Sequence, residues 1–164
     1  MTDPTLTHLD ARGQARMVDV TAKSPTVRTA TATGMVRCPG PVVDSLRSGG
    51  IPKGDVLAVA RIAGIAAAKR TPELLPLAHV IGVHGVLVEV EVVDAGVSVT
   101  ATVRTADRTG VEMEALTSVT VACLAVVDMV KGIDKDVSIE QVRLESKSGG
   151  RSGSWQRSGR PDSG

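Results

Sequence analysis

The chain contains no Phe, no Tyr and a single Trp in 164 residues, although 42% of its residues are hydrophobic. Its core must therefore be built from Val, Ala, Leu, Ile and Met, whose side chains each bury less area than an aromatic ring. A monomer with such a core is comparatively poorly stabilised, which favours association of several copies. The lack of aromatic rings also argues against an RNA-recognition module, whose sheet needs them to stack bases.

Cysteine, charge of one sign and long apolar runs are equally scarce. Cys38 and Cys123 form no Cys-x-x-Cys pair, and the three histidines have no ligand spacing, so we expect no metal site. A net charge of +1 gives no overall attraction to nucleic acid or membrane. The apolar run at 121–127 is far shorter than the ~18 residues that cross a bilayer. Because no basic stretch followed by an apolar one opens the chain, we predict a reduced cytoplasmic protein without cofactor.

Both ends of the chain differ from its middle in composition. Residues 1–25 are polar and interrupted by prolines and a glycine, and residues 148–164 are rich in Ser, Gly and Arg. Such segments bury little apolar surface, so both are predicted to be flexible. Residues 26–147 are predicted to form the single folded domain.

The folded part reads as β-α-α-β-β-α-β. Alternation predicts strands at 27–35 and 139–147 and a hairpin of 86–92 with 97–103 around Gly96, while capping and apolar spacing predict helices at 39–49, 55–70 and 113–131. If the two early helices form one crossover, the fold is α+β and ferredoxin-like: a four-stranded antiparallel sheet with helices packed on one face. The uncovered face suggests a partner.

The last helix carries charged residues at both ends of an apolar stripe. Glu114 lies near its start, and Asp128 and Lys131 lie near its end. An ion pair of Asp128 with Lys131, spaced i,i+3, is the simple structural interpretation. Glu114 and Lys131 are 17 residues apart, which corresponds to roughly 25 Å. If both ends carry chemistry, each must be completed by other groups, and an antiparallel second copy would supply them.

Two further residues have both a functional and a structural interpretation. Lys53 precedes a helix start, where free N–H groups favour an anion, although an exposed loop lysine is the commoner outcome. His79 lies in an apolar link, where it is either a donor to a ligand or a satisfied structural histidine. Clustered lysines lower one another's pKa, which would suit one of them for acid–base work, but the sequence does not show clustering.

Several long motifs together resemble one known family. They are Met17-Val18-Asp19-Val20, Lys53-Gly54-Asp55, Ala60 to Ile65, Ala67 to Thr71, Arg108 to Thr117, Asp128-Met129 with Lys131, and Lys147-Ser148-Gly149-Gly150. From about Leu6 to Trp155, the chain closely resembles the cyclic pyranopterin monophosphate synthases, the molybdenum cofactor biosynthesis protein C family.

The resemblance implies a ferredoxin-like hexamer, a trimer of dimers, with sites at the dimer interface. It implies a small-molecule substrate, 3',8-cyclised dihydro-GTP, which becomes cyclic pyranopterin monophosphate while diphosphate leaves. Asp128, Lys131 and Lys53 match the family's catalytic residues. The segments that match its substrate contacts are Leu77-Ala78-His79 and Met113-Glu114.

The same resemblance suggests individual roles. Lys53 and Lys131 would transfer protons, Asp128 would orient or deprotonate, and Glu112 and Glu114 would bind the amide and amine edges of the base. Four cations are assigned to the triphosphate: Lys23, Arg28, Lys69 and Lys147.

Two positions depart from the family pattern. This chain has Ala78-His79-Val80 where the family usually has Cys-His-Pro, and Arg16 where a histidine is usual. Loss of the proline frees the backbone after His79, so a slower enzyme, an inactive paralogue or a ligand-sensing module of the same fold stay open. The combination of Lys53, Asp128 and Lys131 favours the enzyme, because a sensor does not require all three.

Overall fold

The computed structural model describes residues 9, 10 and 12–158. Nine elements follow one another within them: β1 (Thr26–Arg37), α1 (Gly40–Ser48), α2 (Val56–Ala68), α3 (Thr71–Leu74), β2 (Gly85–Val93), β3 (Gly96–Asp107), α4 (Glu112–Val130), β4 (Ser138–Ser148) and β5 (Trp155–Gln156). The fold is α+β, as predicted.

The strands form one antiparallel sheet in the order β2-β3-β1-β4-β5. The prediction of four strands is wrong, because Lys147 and Ser146 of β4 also pair with Trp155 and Gln156 of β5. Two residues are too few to show an alternating pattern, so this strand has no detectable signal in the sequence. β5 lies within the segment 148–164, whose flexibility stays a prediction.

The core lies between the sheet and the helices α2 and α4. Alternate residues of the two central strands are buried, among them Ala30, Ala32 and Val36 of β1 and Val99 and Ala101 of β3. Alternation follows from the two-residue repeat of a strand, which turns one side of the sheet towards the helices. Because these side chains are short, the helices approach the sheet closely.

Gly34 of β1 permits that approach. A Cβ atom there would lie 2.6 Å from Cγ1 of Val119 and 3.2 Å from Sγ of Cys123, both on α4. Gly64 of α2 has a similar position against Ser118 and Ala122 of α4, with the nearest atom at 3.1 Å. Gly64 thus permits a close approach of α2 to α4.

We expect Gly34→Ala to lower the free energy of unfolding by about 1–3 kcal/mol, because an added methyl group must displace α4 in a core without free space. Denaturant unfolding followed by circular dichroism measures the change. Gly40→Ala is the matched control, since a Cβ at Gly40 has nothing within 4 Å. Equal stability of Gly34→Ala and the parent chain would contradict the packing at this position.

Helix α4 is the central helix of the core and is long and apolar enough, by length and composition alone, to cross a membrane. Half of the relevant stretch is buried within the chain, where it contacts α2, β1 and β3. A core helix passes the same test, so this finding is a weak indication of a membrane span.

The predicted elements differ from the observed ones in a second place. The sequence predicts no element directly after the helix at 55–70, but Thr71-Pro72 begins the short helix α3. Proline is favoured in the first turn of a helix, where its missing N–H would have no partner. The loop that follows, residues 75–84, leads directly to the candidate site.

Candidate active site

The first group of functional side chains lies at the C-terminal end of α4. Asp128 accepts from Lys131 Nζ at 2.7 Å, and Lys53 Nζ lies 3.5 Å from the other carboxylate oxygen and donates to the Asp128 carbonyl at 2.7 Å. Lys53 comes from the loop before α2, whose first turn is capped by Asp55. Both cations also face the negative end of the α4 dipole. The structure thus brings together the three residues assigned to catalysis.

Stability does not explain this lysine–aspartate–lysine cluster. The three side chains are between 46% and 60% exposed, and ion pairs this exposed contribute little to folding. The hydrogen bond and charge of Lys131, and then the charge of Lys53, hold the pKa of Asp128 below its ordinary value. A carboxylate that stays ionised between two ammonium groups is suited to orient them towards a bound substrate.

The second group lines a cavity of about 510 Å³ at the N-terminal end of α4. Its walls are the segment before β1, the loop 75–84, the turn before α4 and the first turn of α4. The lining residues are Val18, Val20, Lys23, Leu77, Ala78, His79, Thr109, Gly110, Glu112, Met113, Glu114 and Arg151. Cations, carboxylates and an imidazole together suit a ligand that carries both an anion and a polar ring.

His79 is held by the segment before β1. Its Nε2 atom lies 2.6 Å from the Val18 carbonyl oxygen, which only accepts, so Nε2 carries the proton. In the neutral ring, Nδ1 is then a hydrogen-bond acceptor. A second bond joins the same segment to the turn before α4, where Arg108 Nε donates to the Lys23 carbonyl at 2.9 Å. The segment is thereby fixed along one side of the cavity.

Glu114 is the buried carboxyl group of the cavity and is 3% exposed. Burial raises its pKa to about 6, with a smaller contribution from the negative charge of Glu112; its own backbone N–H and the charge of His79 oppose the shift. A carboxyl group that titrates near neutral pH can donate a hydrogen bond in one state and accept one in the other.

We expect the stability of the fold to fall as the pH rises through the pKa of Glu114. A raised pKa means that the folded state favours the protonated form, so this contribution is complete below about pH 4.5 and is lost above about pH 6. Relative to Glu114→Gln, the parent chain should lose about 1–2 kcal/mol by about pH 7.5. Thermal unfolding across this range measures the difference, with exposed Glu89→Gln as the control. Parallel curves for the parent chain and Glu114→Gln would contradict the assignment.

Two cations assigned to the triphosphate have structural partners. Lys147 Nζ lies 3.4 Å from Glu112 and donates to Ser152 Oγ at 2.6 Å. Arg28 donates to the carbonyls of Asp107 and Arg108 at 3.0 and 3.1 Å. Lys147 therefore lies beside the cavity, next to one of its carboxylates, whereas Arg28 supports the turn before α4.

The remaining assignments divide clearly. Lys23 and the segments 77–79 and 112–114 line the cavity, and their substrate-binding roles stay a prediction. Lys69 is exposed at the C-cap of α2 and belongs neither to the cavity lining nor to the lysine–aspartate–lysine cluster. Sequence reasoning missed Val18, Val20, Thr109, Gly110 and Arg151 as lining residues. The motifs around 17–20 and 108–117 and the glycine-rich run at 147–153 contain all five, so those motifs were the signal.

No group of three or more His, Cys, Asp or Glu side chains within the described part of the chain is placed to hold a metal ion. Cys38 and Cys123 are buried and unpaired.

The α+β domain thus has a cavity lined by cations, carboxylates and an imidazole, and an exposed lysine–aspartate–lysine cluster, which suit an enzyme that acts on a small molecule. The chain belongs to the MoaC family, whose family model matches residues 17–150. It is 60% identical over 153 residues to the cyclic pyranopterin monophosphate synthase of Streptomyces coelicolor, covering 93% of this chain and 90% of the relative. Proteins of the same name from a Nocardioides species and Geobacter sulfurreducens are 57% and 53% identical, over 93% and 92% of this chain and 95% of each relative.

Proposed function

We propose that this protein is a cyclic pyranopterin monophosphate synthase of molybdenum cofactor biosynthesis. It converts 3',8-cyclo-7,8-dihydroguanosine triphosphate to cyclic pyranopterin monophosphate and releases diphosphate. Identity above 50% over nearly the whole chain to proteins of that name supports the proposal. The observation that carries it is the meeting of Lys53, Asp128 and Lys131 in an exposed cluster.

The reaction opens a purine ring and closes a pterin ring. A sugar hydroxyl then attacks the α-phosphate and displaces diphosphate, so protons must be delivered and removed. Lys53 and Lys131 would transfer these protons, and Asp128, which contacts both, would orient them. Their positive charges would also stabilise the charge that develops on phosphate oxygens during the attack.

The cavity at the other end of α4 would bind the substrate. Glu112 and Glu114 would accept from the amide and amine edges of the base, while Leu77 and Met113 give apolar contact. His79 would offer Nδ1 to the ligand. Lys23 and Lys147 would bind the triphosphate, and we add Arg151, which lines the same cavity. Arg28 and Lys69 are weaker candidates, because Arg28 is bonded to two backbone carbonyls and Lys69 lies outside the cavity.

A complete site would need two copies of the chain. The 19 residues of α4 separate its two ends by roughly 28 Å, which exceeds the reach of one small substrate. Apolar side chains on the long helices are available to a second copy: Val59 and Ile62 of α2 are 42% and 68% exposed, and Leu124 of α4 is 52% exposed. We propose a dimer that pairs opposite ends of α4, assembled as a hexamer by three such dimers.

We also propose a ferredoxin-like core formed by residues 26–147. Of the two segments predicted to be flexible, 1–25 and 148–164, residues 1–8, 11 and 159–164 lie outside the described residues, while Val18, Lys23 and Trp155 are bonded to the rest of the chain. The strand order β2-β3-β1-β4 with two long helices supports this core, to which β5 is an addition. A cytoplasmic location is supported by the two unpaired buried thiols of Cys38 and Cys123.

Incubation with the cyclised nucleotide, followed by chromatography for the pterin product and for diphosphate, tests the function. We expect turnover without an added cofactor. The alternative is a ligand-sensing or inactive paralogue, suggested by Ala78 and Val80 in the loop that carries His79. Tight binding of the nucleotide, measured by calorimetry, without any product would establish that alternative.

A further inference from the structure

The loop 75–84 carries three lining residues of the cavity, Leu77, Ala78 and His79, but it has no helix or strand geometry of its own. Val80 follows them and is 89% exposed, so its side chain does not anchor the loop. Loops without regular backbone bonds are the segments that open most readily. The position of His79 must therefore depend on other groups.

Besides the bond of His79 to the Val18 carbonyl and the bond of the His84 N–H to the Arg104 carbonyl, Gly82 anchors the loop, because side chains of β3 satisfy both of its backbone groups. Thr105, only 2% exposed, donates its hydroxyl to the Gly82 carbonyl at 2.5 Å. Asp107 accepts the Gly82 N–H at 3.2 Å through Oδ2. The two residues are two positions apart on one strand and so lie on the same side of it.

Asp107 also holds the opposite wall of the cavity. Its Oδ1 atom accepts the N–H of Arg108 at 2.7 Å, at the start of the turn that leads into α4. Arg28 Nε donates to the Asp107 backbone carbonyl at 3.0 Å, which fixes the residue itself. The N–H groups of Arg108 and Gly82, with smaller effects from the charges of Arg108 and His84, lower the pKa of Asp107, so its carboxylate stays ionised at neutral pH.

We propose that Asp107 is a positioning residue for the substrate site, since its carboxylate joins the loop that carries His79 to the turn that precedes Glu112. One oxygen bonds to each wall, so this one side chain contributes to the separation of the walls, together with the bonds of Thr105 to Gly82 and of His79 to Val18. Asp107 itself does not line the cavity. The kinetic consequence rests on the function proposed above, whereas the structural one does not.

Hydrogen exchange without substrate tests the structural consequence. In Asp107→Ala, we expect the amides of residues 78–84 to exchange about tenfold faster than in the parent chain, because one of the loop's bonds to β3 is lost. Asp107→Asn keeps a single acceptor oxygen and should give an intermediate rate. Asp94→Ala is the matched control, since Asp94 pairs with Arg47 in the turn at the far end of the same hairpin.

Steady-state kinetics test the functional consequence. We expect Asp107→Ala to raise KM about tenfold with a much smaller change in kcat, because the loop contributes binding contacts rather than reacting groups. Asp107→Asn should recover part of the loss, and Asp94→Ala should leave both constants unchanged. A merely structural defect would instead reduce the active fraction and lower kcat at constant KM.

Unchanged exchange of 78–84 in Asp107→Ala, or the same acceleration in Asp94→Ala, would overturn the proposal. If Asp107→Ala does not fold, the Gly82 amide in Asp107→Asn decides: unaltered exchange there rejects the role and faster exchange supports it. If the parent chain turns nothing over, the proposed function fails, and the exchange experiment still decides the role of Asp107.

Discussion

Replacing Lys131 or Lys53 by Ala should reduce kcat by about 10²–10⁴-fold, the range that a single acid or base group contributes. Both ammonium groups contact the same carboxylate, at 2.7 Å for Lys131 and 3.5 Å for Lys53, so removal of either leaves Asp128 with half of its partners. The melting temperature should change little, because all three side chains are largely exposed. Steady-state turnover of the cyclised nucleotide measures the loss.

Arginine substitutions separate proton transfer from charge stabilisation. Lys131→Arg and Lys53→Arg keep the positive charge but remain protonated in proteins, so they should be as inactive as the alanine variants if these lysines transfer protons. Lys135→Ala is the control, because Lys135 is exposed in the loop after α4 and contacts neither group. Full activity of both arginine variants would limit the two lysines to charge stabilisation, and full activity of the alanine variants would remove the cluster from the mechanism.

The sequence predicted the longer elements because their side chains repeat regularly. The hairpin of β2 and β3 and the helix α4 follow from the periods of two and 3.6 residues, and the predicted helix start at residue 55 agrees with Asp55, whose side chain caps α2. The four-residue helix α3 and the two-residue strand β5 are shorter than any repeat that a sequence can reveal. Their existence depends on packing and on the pairing of β4.

The candidate site divides in the same way. Residue types with strong chemistry, such as Lys53, Asp128 and Lys131, were identifiable from the family motifs, and the structure brings them together. The supporting contacts could not be identified from the sequence. The roles of Arg28 and Asp107 depend on which backbone carbonyls and N–H groups the fold brings near them. The assignment of Arg28 to a phosphate stays a prediction, and two of its nitrogen atoms, Nε and Nη2, donate to the turn before α4.

The contacts of Gly82 also matter for Val80, which stands where the family usually has a proline. Without the proline that is usual in the family, the backbone after His79 has more freedom in the unfolded and open states. Thr105 and Asp107 hold the chain three residues beyond His79 and would limit that freedom. This arrangement supports the active enzyme over the inactive paralogue, since the loop has an anchor that does not need the proline.

Mixed oligomers provide the sharpest test of a site shared between two chains. Glu114→Gln alters the N-terminal end of α4 and Lys131→Ala the C-terminal end, so each homo-oligomer should have low activity. In a heterodimer of the two, one site carries both substitutions and the other carries neither. Random association after co-expression should therefore restore about a quarter of the parent activity, because half of the dimers are mixed and one of their two sites is intact.

A mixture of Lys53→Ala and Lys131→Ala is the matched control for this restoration. Both residues contact Asp128 of their own chain, so they belong to the same half of the site, and every site in the mixed oligomer carries at least one substitution. We expect no recovery there. Recovery in the first mixture alone would show that opposite ends of α4 from two chains meet, because no rearrangement within a chain produces an unmodified site. Absence of recovery in purified, separately tagged hetero-oligomers would mean that each chain completes its site alone. Because α4 is 19 residues long, its two ends would then contact the ligand at two separate places on one subunit.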